Sequence, residues 1–526
     1  MKAQSSAGNA VTLGQGTLAS RILGFVRDAS IAALLGSGWV ADALLVAFRL
    51  PNFARSLLAD GAFAYTLVPA YRMLKDLDPE RAWTFVRSMT VSLFAFFGFL
   101  VLVGAVFSDH IAIILAPGFH DMPDVLNMAS GFMVLCLLSL PLVSGAAVNA
   151  AALMAEGRFK PPAYASAVFN VVVILSVGVA FILFGTGDER APYALCVGVI
   201  LAGVVQWGYQ TVYLRKLGFS PPGPVAFKDP VLKRSLKALP QSIFGVGGHQ
   251  VNLLLATFLA SFLAEGSISA LYFAERLIGF PLGIIGASMG LAALSDLSTI
   301  APAFRTASTR PDLVAASKTL FTERLVRANR VTLFFALPAA VGTACLAVPL
   351  TSVIFGYGEF DHDALIRTSN ALLAYLVGLP ALALIRPLLA GLGALGDART
   401  TLRAAVTGLA ATGVFGAALL TTGAPWGPAL AVSLAAWVNA VLLTRSLAGH
   451  GHNPLPGLLW PLKILLACGL MALCVIGTAS VFSSSFGKVA TVPVGILVYF
   501  AAAFALRLDE FTLTFRVASR MFAKKR

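Results

Sequence analysis

Six arginines, Arg21, Arg27, Arg49, Arg55, Arg276 and Arg386, fall inside stretches apolar enough to cross a bilayer. An arginine near the bilayer centre costs about 2.5–3.5 kcal/mol, so the four in the first two stretches would cost on the order of 10 kcal/mol if they faced lipid. They are expected to face a polar cavity. A guanidinium in such a cavity attracts anions, and its planar fork suits phosphate oxygens better than an ammonium does. Anion binding is therefore the first chemistry the pattern indicates.

A competing reading is a network of buried ion pairs. Arg21 and Asp28 are seven residues apart and share a helix face, as do Asp42 and Arg49, whereas Arg27 and Arg55 have no equally plain acid on their own face. Asp60 and Glu275 are further acids within reach of such a network. The ion-pair reading suits Arg49 best. Arg386 lies near the inner end of its stretch, where a long side chain can snorkel to the interface. His249 reads as a satisfied core histidine before a proton carrier, and Asp296 as a solvated acid. The spacings Gly279/Gly283 and Gly286/Gly290 permit close helix contact.

The elements that position these residues follow from composition. With 58% apolar residues, 12% charged residues and a mean hydropathy of +0.85, the chain of 526 residues is a polytopic, all-α membrane protein. Apolar windows place fourteen transmembrane helices near 10–36, 39–70, 86–107, 130–154, 162–184, 192–214, 238–264, 268–297, 331–355, 366–393, 402–422, 428–448, 460–482 and 489–508. Bends are expected at Pro51 and Pro281. With the N-terminus inside, 29 basic residues flank the spans on the cytoplasmic side and three, Arg190, Arg367 and Lys488, on the other. That asymmetry puts both termini in the cytoplasm. The first stretch, broken by Arg21, Arg27 and Asp28, is expected to stay as a span rather than be cleaved as a signal peptide.

The net charge of +14 comes from these basic loops, and no nucleic-acid-binding pattern accompanies it. The five cysteines lie in apolar runs without ligand spacing, so neither disulfide nor zinc is indicated. No phosphate-binding loop of an ATPase occurs, and the outer loops are too short to carry a hydrolytic site. A transporter rather than an enzyme is expected.

The chain also repeats itself. AFRLPNF at 47–53 matches AERLIGF at 274–280 in four of seven positions, and 140–160 is similar to 379–399. Both matches are six spans apart, so the expected architecture is two six-helix lobes in parallel repeat with a site between them. Residues 1–220 form the N-terminal lobe, 221–450 the C-terminal lobe, and 451–526 an added helix pair with a basic tail.

The stretches SRILGFVRD (20–28) and ADALLVAFRLPNFARSLLADGAF (41–63) resemble the signature of the MurJ (MviN) family of lipid II flippases. So do LAPGF (115–119), SFLAEGSISALYFAERLIGFPLG (261–283) and FGYGEF (355–360). The family belongs to the multidrug/oligosaccharidyl-lipid/polysaccharide exporter superfamily. The resemblance implies two lobes plus two C-terminal helices that form a groove for a polyprenyl tail. It implies substrate-binding roles for Arg21, Arg27, Arg55 and Arg276, with Asp28, Asp42, Arg49, Asp60 and Glu275 in the surrounding charge network. Arg49 stands where the family commonly has lysine and Asp60 where it has Glu, while 386–403 and Asp296 depart from its pattern.

What the resemblance implies for function is movement of undecaprenyl-diphosphate-linked disaccharide-pentapeptide from the inner to the outer leaflet of a bacterial inner membrane, by alternating access. The partners are then lipid II, membrane lipids and cell-wall synthesis enzymes. No cofactor is expected, which leaves membrane potential or a monovalent cation to drive the cycle. The alternatives are an exporter of another polyprenyl-linked glycan or a drug, and a scaffold that docks cell-wall enzymes.

Overall fold

The computed structural model describes residues 6–57, 63–244, 248–306, 311–457 and 459–512, and among them every regular element is a helix. The chain divides into two compact units, one of Met1–Ser269 with Tyr357–Ala364 and one of Ala270–Gly356 with Leu365–Arg526.

The first unit holds α1 (Ser6–Leu35), α2 (Trp39–Leu57), α3 (Phe63–Leu77), α4 (Pro79–Val106), α5 (Ser108–Leu115), α6 (Pro123–Leu137), α7 (Ser139–Ala155), α8 (Lys160–Phe184), α9 (Ala191–Arg215), α10 (Pro230–Phe244) and α11 (Gly248–Ala260). The second holds most of α12 (Ser267–Thr306), then α13 (Pro311–Cys345), α14 (Ala347–Phe355), most of α15 (His362–Leu395), α16 (Ala398–Leu420), α17 (Gly427–Gly449), α18 (Leu459–Ala479), α19 (Ser485–Val489) and α20 (Val492–Ala505).

Local chemistry sets the helix ends. Asp78 caps α4 by accepting from Glu80 N, with Pro79 in the first turn, where its missing N–H has no helical partner to lose. Asp397 caps α16 through Thr400 N, and its carboxyl is held below the ordinary carboxylate range by the Thr400 hydroxyl and N–H. Gly185 ends α8 at φ 76°, a backbone conformation that side chains with a Cβ seldom adopt.

Eleven helices among the described residues are long and apolar enough to cross a membrane. The fourteen expected spans include three others, near 10–36, 39–70 and 238–264. Their departure from the apolar norm has a physical source: α1 and α2 carry the intramembrane charges, and α11 has only 13 residues. Helix α2 continues through Pro51, and α12 runs as one helix of 40 residues through Pro281. Exposed apolar side chains such as Leu175, Ile182 and Leu473 line the helix surfaces that a bilayer would cover.

Small residues let the charged helix α1 approach α8. A Cβ on Gly16 would overlap Ala163, and one on Gly24 would lie 3.6 Å from the Asn170 amide nitrogen. In the second unit, Phe334, Trp460, Met471 and Tyr499 tie α13 to α18 and α20, and the Tyr499 hydroxyl donates to Phe334 O at 2.6 Å.

Candidate functional site

The close approach of α1 and α8 fixes the first charged group. Arg27 donates through Nε and Nη2 to Asp28 Oδ1, at 2.9 and 2.7 Å, and through Nη1 to Asn170 Oδ1 at 3.0 Å. Asn170 in turn donates to Ser20 O at 2.9 Å, which fixes its orientation. Arg27 and Asp28 are 7% and 1% exposed, so this is a desolvated pair with a third polar partner. The sequence sets Asp28 on the face of Arg21 and gives Arg27 no equally plain acid on its own face. The structure differs because the long arginine stem folds back to its chain neighbour. Arg21 is half-buried one turn and a half earlier on the same helix.

Helix α2 carries Asp42, Arg49 and Arg55. The Asp42 carboxylate is directed to the start of α12. Oδ2 accepts from Gly266 N at 2.9 Å, and Oδ1 accepts from Ser269 N at 2.7 Å and from the Ser269 hydroxyl. These are donors of a helix N-terminus, which favours a negative charge. The expected Asp42–Arg49 pairing is thus replaced by a cap on a helix 224 or more residues away in sequence. Around it Ser37 Oγ donates to Gly266 O at 3.2 Å, Trp39 N to Glu265 Oε1 at 3.0 Å and Glu359 N to Ala33 O at 3.0 Å. Gly358, at φ 60°, sits so close to Ala33 O that a Cβ would overlap it.

Arg49 is buried in α2, with 9% exposure. Arg55 is half-buried, donates to Asn52 Oδ1 at 3.4 Å and places its guanidinium 5.6 Å from the centre of the Phe169 ring. Asp60 lies outside the described residues. Four arginines against two aspartates on α1 and α2 leave a positive balance there. Of those aspartates, Asp28 is bonded to Arg27 and Asp42 to α12.

In the second unit Arg276 donates from Nη2 to the Tyr272 hydroxyl at 3.0 Å, with its guanidinium 4.6 Å from that ring's centre. Tyr272 lies one turn earlier, and Glu275 beside it is half-buried. Arg386 is exposed and its stem packs on the glycine pair of α12: a Cβ at Gly290 would come within 3.1 Å of Arg386 Cβ, and one at Gly286 within 3.5 Å of Cγ. Asp296 is exposed, 3.9 Å from Arg324. The His249 side chain lies outside what the structure describes.

The structure thus joins Arg27 to Asp28 and Asp42 to α12. Asn170, Phe169, Ser269 and Tyr272 complete the charged groups and were not anticipated. Tyr272 sits at helical spacing from Arg276, the one signal the sequence carried; the other three lie on distant elements. Arg87, counted by sequence among the inner flanking charges, is 5% exposed inside α4 and binds Ser220 O and Pro224 O at 3.0 and 3.1 Å. Among the described residues no group of three or more His, Cys, Asp or Glu side chains could hold a metal ion. Guanidinium groups on α1 and α2 in the first unit, and the half-buried one of Arg276 in the second, can each hold an anion's oxygens through charge-assisted hydrogen bonds.

Comparison with known proteins gives the family. The family model described as lipid II flippase MurJ matches residues 31–497. A probable lipid II flippase MurJ from Vibrio cholerae serotype O1 is 32% identical over 447 residues, covering 83% of this chain and 81% of its own. Among solved structures, the inward closed conformation of lipid II flippase MurJ is similar with a TM-score of 0.77, 22% identity and coverage of 95% and 99% of the two chains. The inward-facing conformation of a multidrug resistance MATE family transporter of the MOP superfamily is similar with a TM-score of 0.60, 17% identity and coverage of 82% and 95%. The last two establish the shared helical fold, and the match over 31–497 with the 32% identity establishes that this chain belongs to the MurJ family.

Proposed function

We propose that this chain is a lipid II flippase of a bacterial inner membrane, moving the undecaprenyl-diphosphate-linked disaccharide-pentapeptide from the inner to the outer leaflet. The observation that carries the reading is the positive balance on α1 and α2, four arginines against two aspartates, in a chain of the MurJ family. A diphosphate does not cross hydrocarbon unaided and a long polyprenyl tail does not leave it. A carrier must therefore shield the head group while the tail stays in lipid.

In this reading fourteen transmembrane helices form two six-helix lobes, 1–220 and 221–450, with a C-terminal pair in 451–526 that serves the tail. Both termini are cytoplasmic. Arg21, Arg55 and Arg276 bind the diphosphate directly. Arg27, held by Asp28 and Asn170, is a positioning residue that keeps α1 against α8 and adds to the positive field. Arg49, Asp60 and Glu275 balance the remaining charge.

Alternating access gives the Asp42 cap a task. Residues 261–269 and 357–364, which the repeat assigns to the C-terminal lobe, are bonded to residues 33–42. Opening that end for release to the outer leaflet requires Asp42 to leave the α12 N-terminus. With no nucleotide to drive the return, membrane potential or a bound monovalent cation does so; one charge moved through 100 mV is worth about 2.3 kcal/mol.

Equilibrium binding of lipid II to the purified chain tests the site. Arg55→Ala and Arg276→Ala should each weaken binding roughly ten- to a hundredfold, the equivalent of about 1.5–3 kcal/mol, with lysine restoring only part. If Arg55→Ala/Asp60→Asn and Arg276→Ala/Glu275→Gln both bind normally, the arginines are ion-pair partners and the site assignment is wrong.

A further inference from the structure

The connector between α9 and α10 shows apolar side chains to the outside although it is held rigidly from within. Val225 and Phe227 are 43% and 50% exposed. The backbone carrying them is braced by buried Arg87 at Ser220 O and Pro224 O, and by Ala226 N donating to Ser88 Oγ at 2.8 Å. Asp229 completes the brace, pairing with Arg81 at 3.0 Å and accepting from Val231 N at 2.7 Å. A mobile loop could turn Phe227 inward, but this one is fixed with the ring outward.

Helix α10 follows directly. Its apolar residues Leu232 and Leu239 are buried against α3 and α4 with Tyr71, Leu74 and Trp83, so that face is already covered. Its other face presents Lys233, Arg234 and Lys237, all exposed, and Lys228 is exposed at the end of the connector. Apolar side chains fixed outward next to a basic helix face suit a surface that is apolar below and anionic above, which is the boundary of an anionic leaflet. A water-facing loop would gain nothing from Phe227, and an acidic protein partner would not require the apolar pair.

We propose that residues 225–237 are an interfacial anchor, in which Val225 and Phe227 enter the inner leaflet and Lys228, Lys233, Arg234 and Lys237 take the phosphate headgroups of anionic phospholipids. This rests on the cytoplasmic placement of the connector given under the proposed function. The anchor pins the joint between the two repeats to the membrane plane.

The test uses the full chain in vesicles of phosphatidylcholine with or without 30% phosphatidylglycerol, a composition on the order of that of an anionic inner leaflet. An environment-sensitive dye on a cysteine at Phe227 should emit as in lipid and be quenched by brominated acyl chains. Phosphatidylglycerol retention by the purified protein should fall roughly a hundredfold in Lys233→Gln/Arg234→Gln/Lys237→Gln, about fivefold for each charge. The comparison variant Lys318→Gln/Arg324→Gln/Arg327→Gln, which removes three exposed charges from α13, should retain it. A dye that reports water, or equal losses in both triple variants, overturns the anchor and leaves the surface to a protein partner. Labelling of a cysteine at position 121 from outside the cell separates the two readings: if 121 is outside and the dye still reports water, the anchor alone has failed, and if 121 is inside, the orientation has.

Discussion

Asp42 on α2 caps the N-terminus of α12 through Ser269, accepting from both its N–H and its hydroxyl, across 227 residues of sequence. The carboxyl group is 1% exposed, so its oxygens are satisfied by helix N–H groups and the Ser269 hydroxyl rather than by water. Removing the side chain's acceptor without changing its shape should weaken the hold of α2 on the start of α12. Asp42→Asn is expected to raise external labelling of a cysteine at Ser37, which bonds Gly266 O, by roughly ten- to a hundredfold, as loss of about 1.5–3 kcal/mol of charge-assisted bonding implies. Unchanged labelling would mean that the cap does not keep Ser37 against Gly266.

Arg27 separates a structural from a substrate role. Arg27→Ala breaks a desolvated ion pair, which should lower stability by about 3–5 kcal/mol. Asn170→Ala should lower it by about 2–4 kcal/mol, because a bond to a charged group and one to Ser20 O are both lost. Thermal unfolding in detergent reads both, and Arg27→Ala/Asp28→Asn should recover most of the loss. A fully stable Arg27→Ala that no longer binds lipid II would move Arg27 into the substrate site.

These two clusters mark where the sequence stops being legible. Hydropathy and flanking charge are local, so the apolar helices and the arginines inside them could be read directly. The partners could not: Asn170 lies 143 residues from Arg27 and Ser269 lies 227 from Asp42, and no periodicity encodes such pairs. Spacing along one helix set Asp42 with Arg49 and gave Arg27 no plain acid, because helical periodicity ranks neighbours on a face and takes no account of a guanidinium curling to its chain neighbour or of a helix end arriving from elsewhere. Arg87 shows the same limit: by sequence it is a charge near a span end, and no spacing tells that it turns to bind the carbonyls of Ser220 and Pro224.

The connector after α17 should be sensitive to pH. His452 is 1% exposed, bonds Thr322 Oγ1 through Nδ1 at 2.9 Å and packs at a tilt against the Phe321 ring. Burial holds its pKa below the ordinary 6.5, with Lys318 and His450 acting in the same direction. The folded chain therefore keeps the ring neutral, and the unfolded chain takes up a proton first. Its contribution is intact above pH 6.5 and is lost as pH falls through 6.5 towards the lowered folded value. Hydrogen exchange at 450–457, taken relative to the intrinsic amide rate at each pH, should accelerate between pH 7 and 5.5 in the native chain and stay flat in His452→Gln; acceleration in both would assign the effect to another group.

The C-terminal pair is fastened by Glu510, 2% exposed, which meets Arg330 at 2.6 Å and accepts from Trp460 Nε1 at 3.0 Å. Glu510→Ala should loosen α18 from α13 and lower stability by about 2–3 kcal/mol, less than a fully buried pair because Arg330 is partly exposed. If the pair serves the polyprenyl tail, this variant should weaken binding of lipid II more than binding of a water-soluble head-group analogue. Equal weakening would remove the tail role.

A chain that carries lipid II across the membrane should restore it to the outer leaflet of cells that lack their own flippase. The direct measurement is the amount of lipid II accessible to an externally added probe in bacterial cells whose own flippase has been depleted and which express this chain. Accessible lipid II should return to the level before depletion with the native chain and stay low with Arg55→Ala or Arg276→Ala at equal protein abundance. Accessible lipid II that remains at the depleted level with abundant native chain in the membrane would contradict the account.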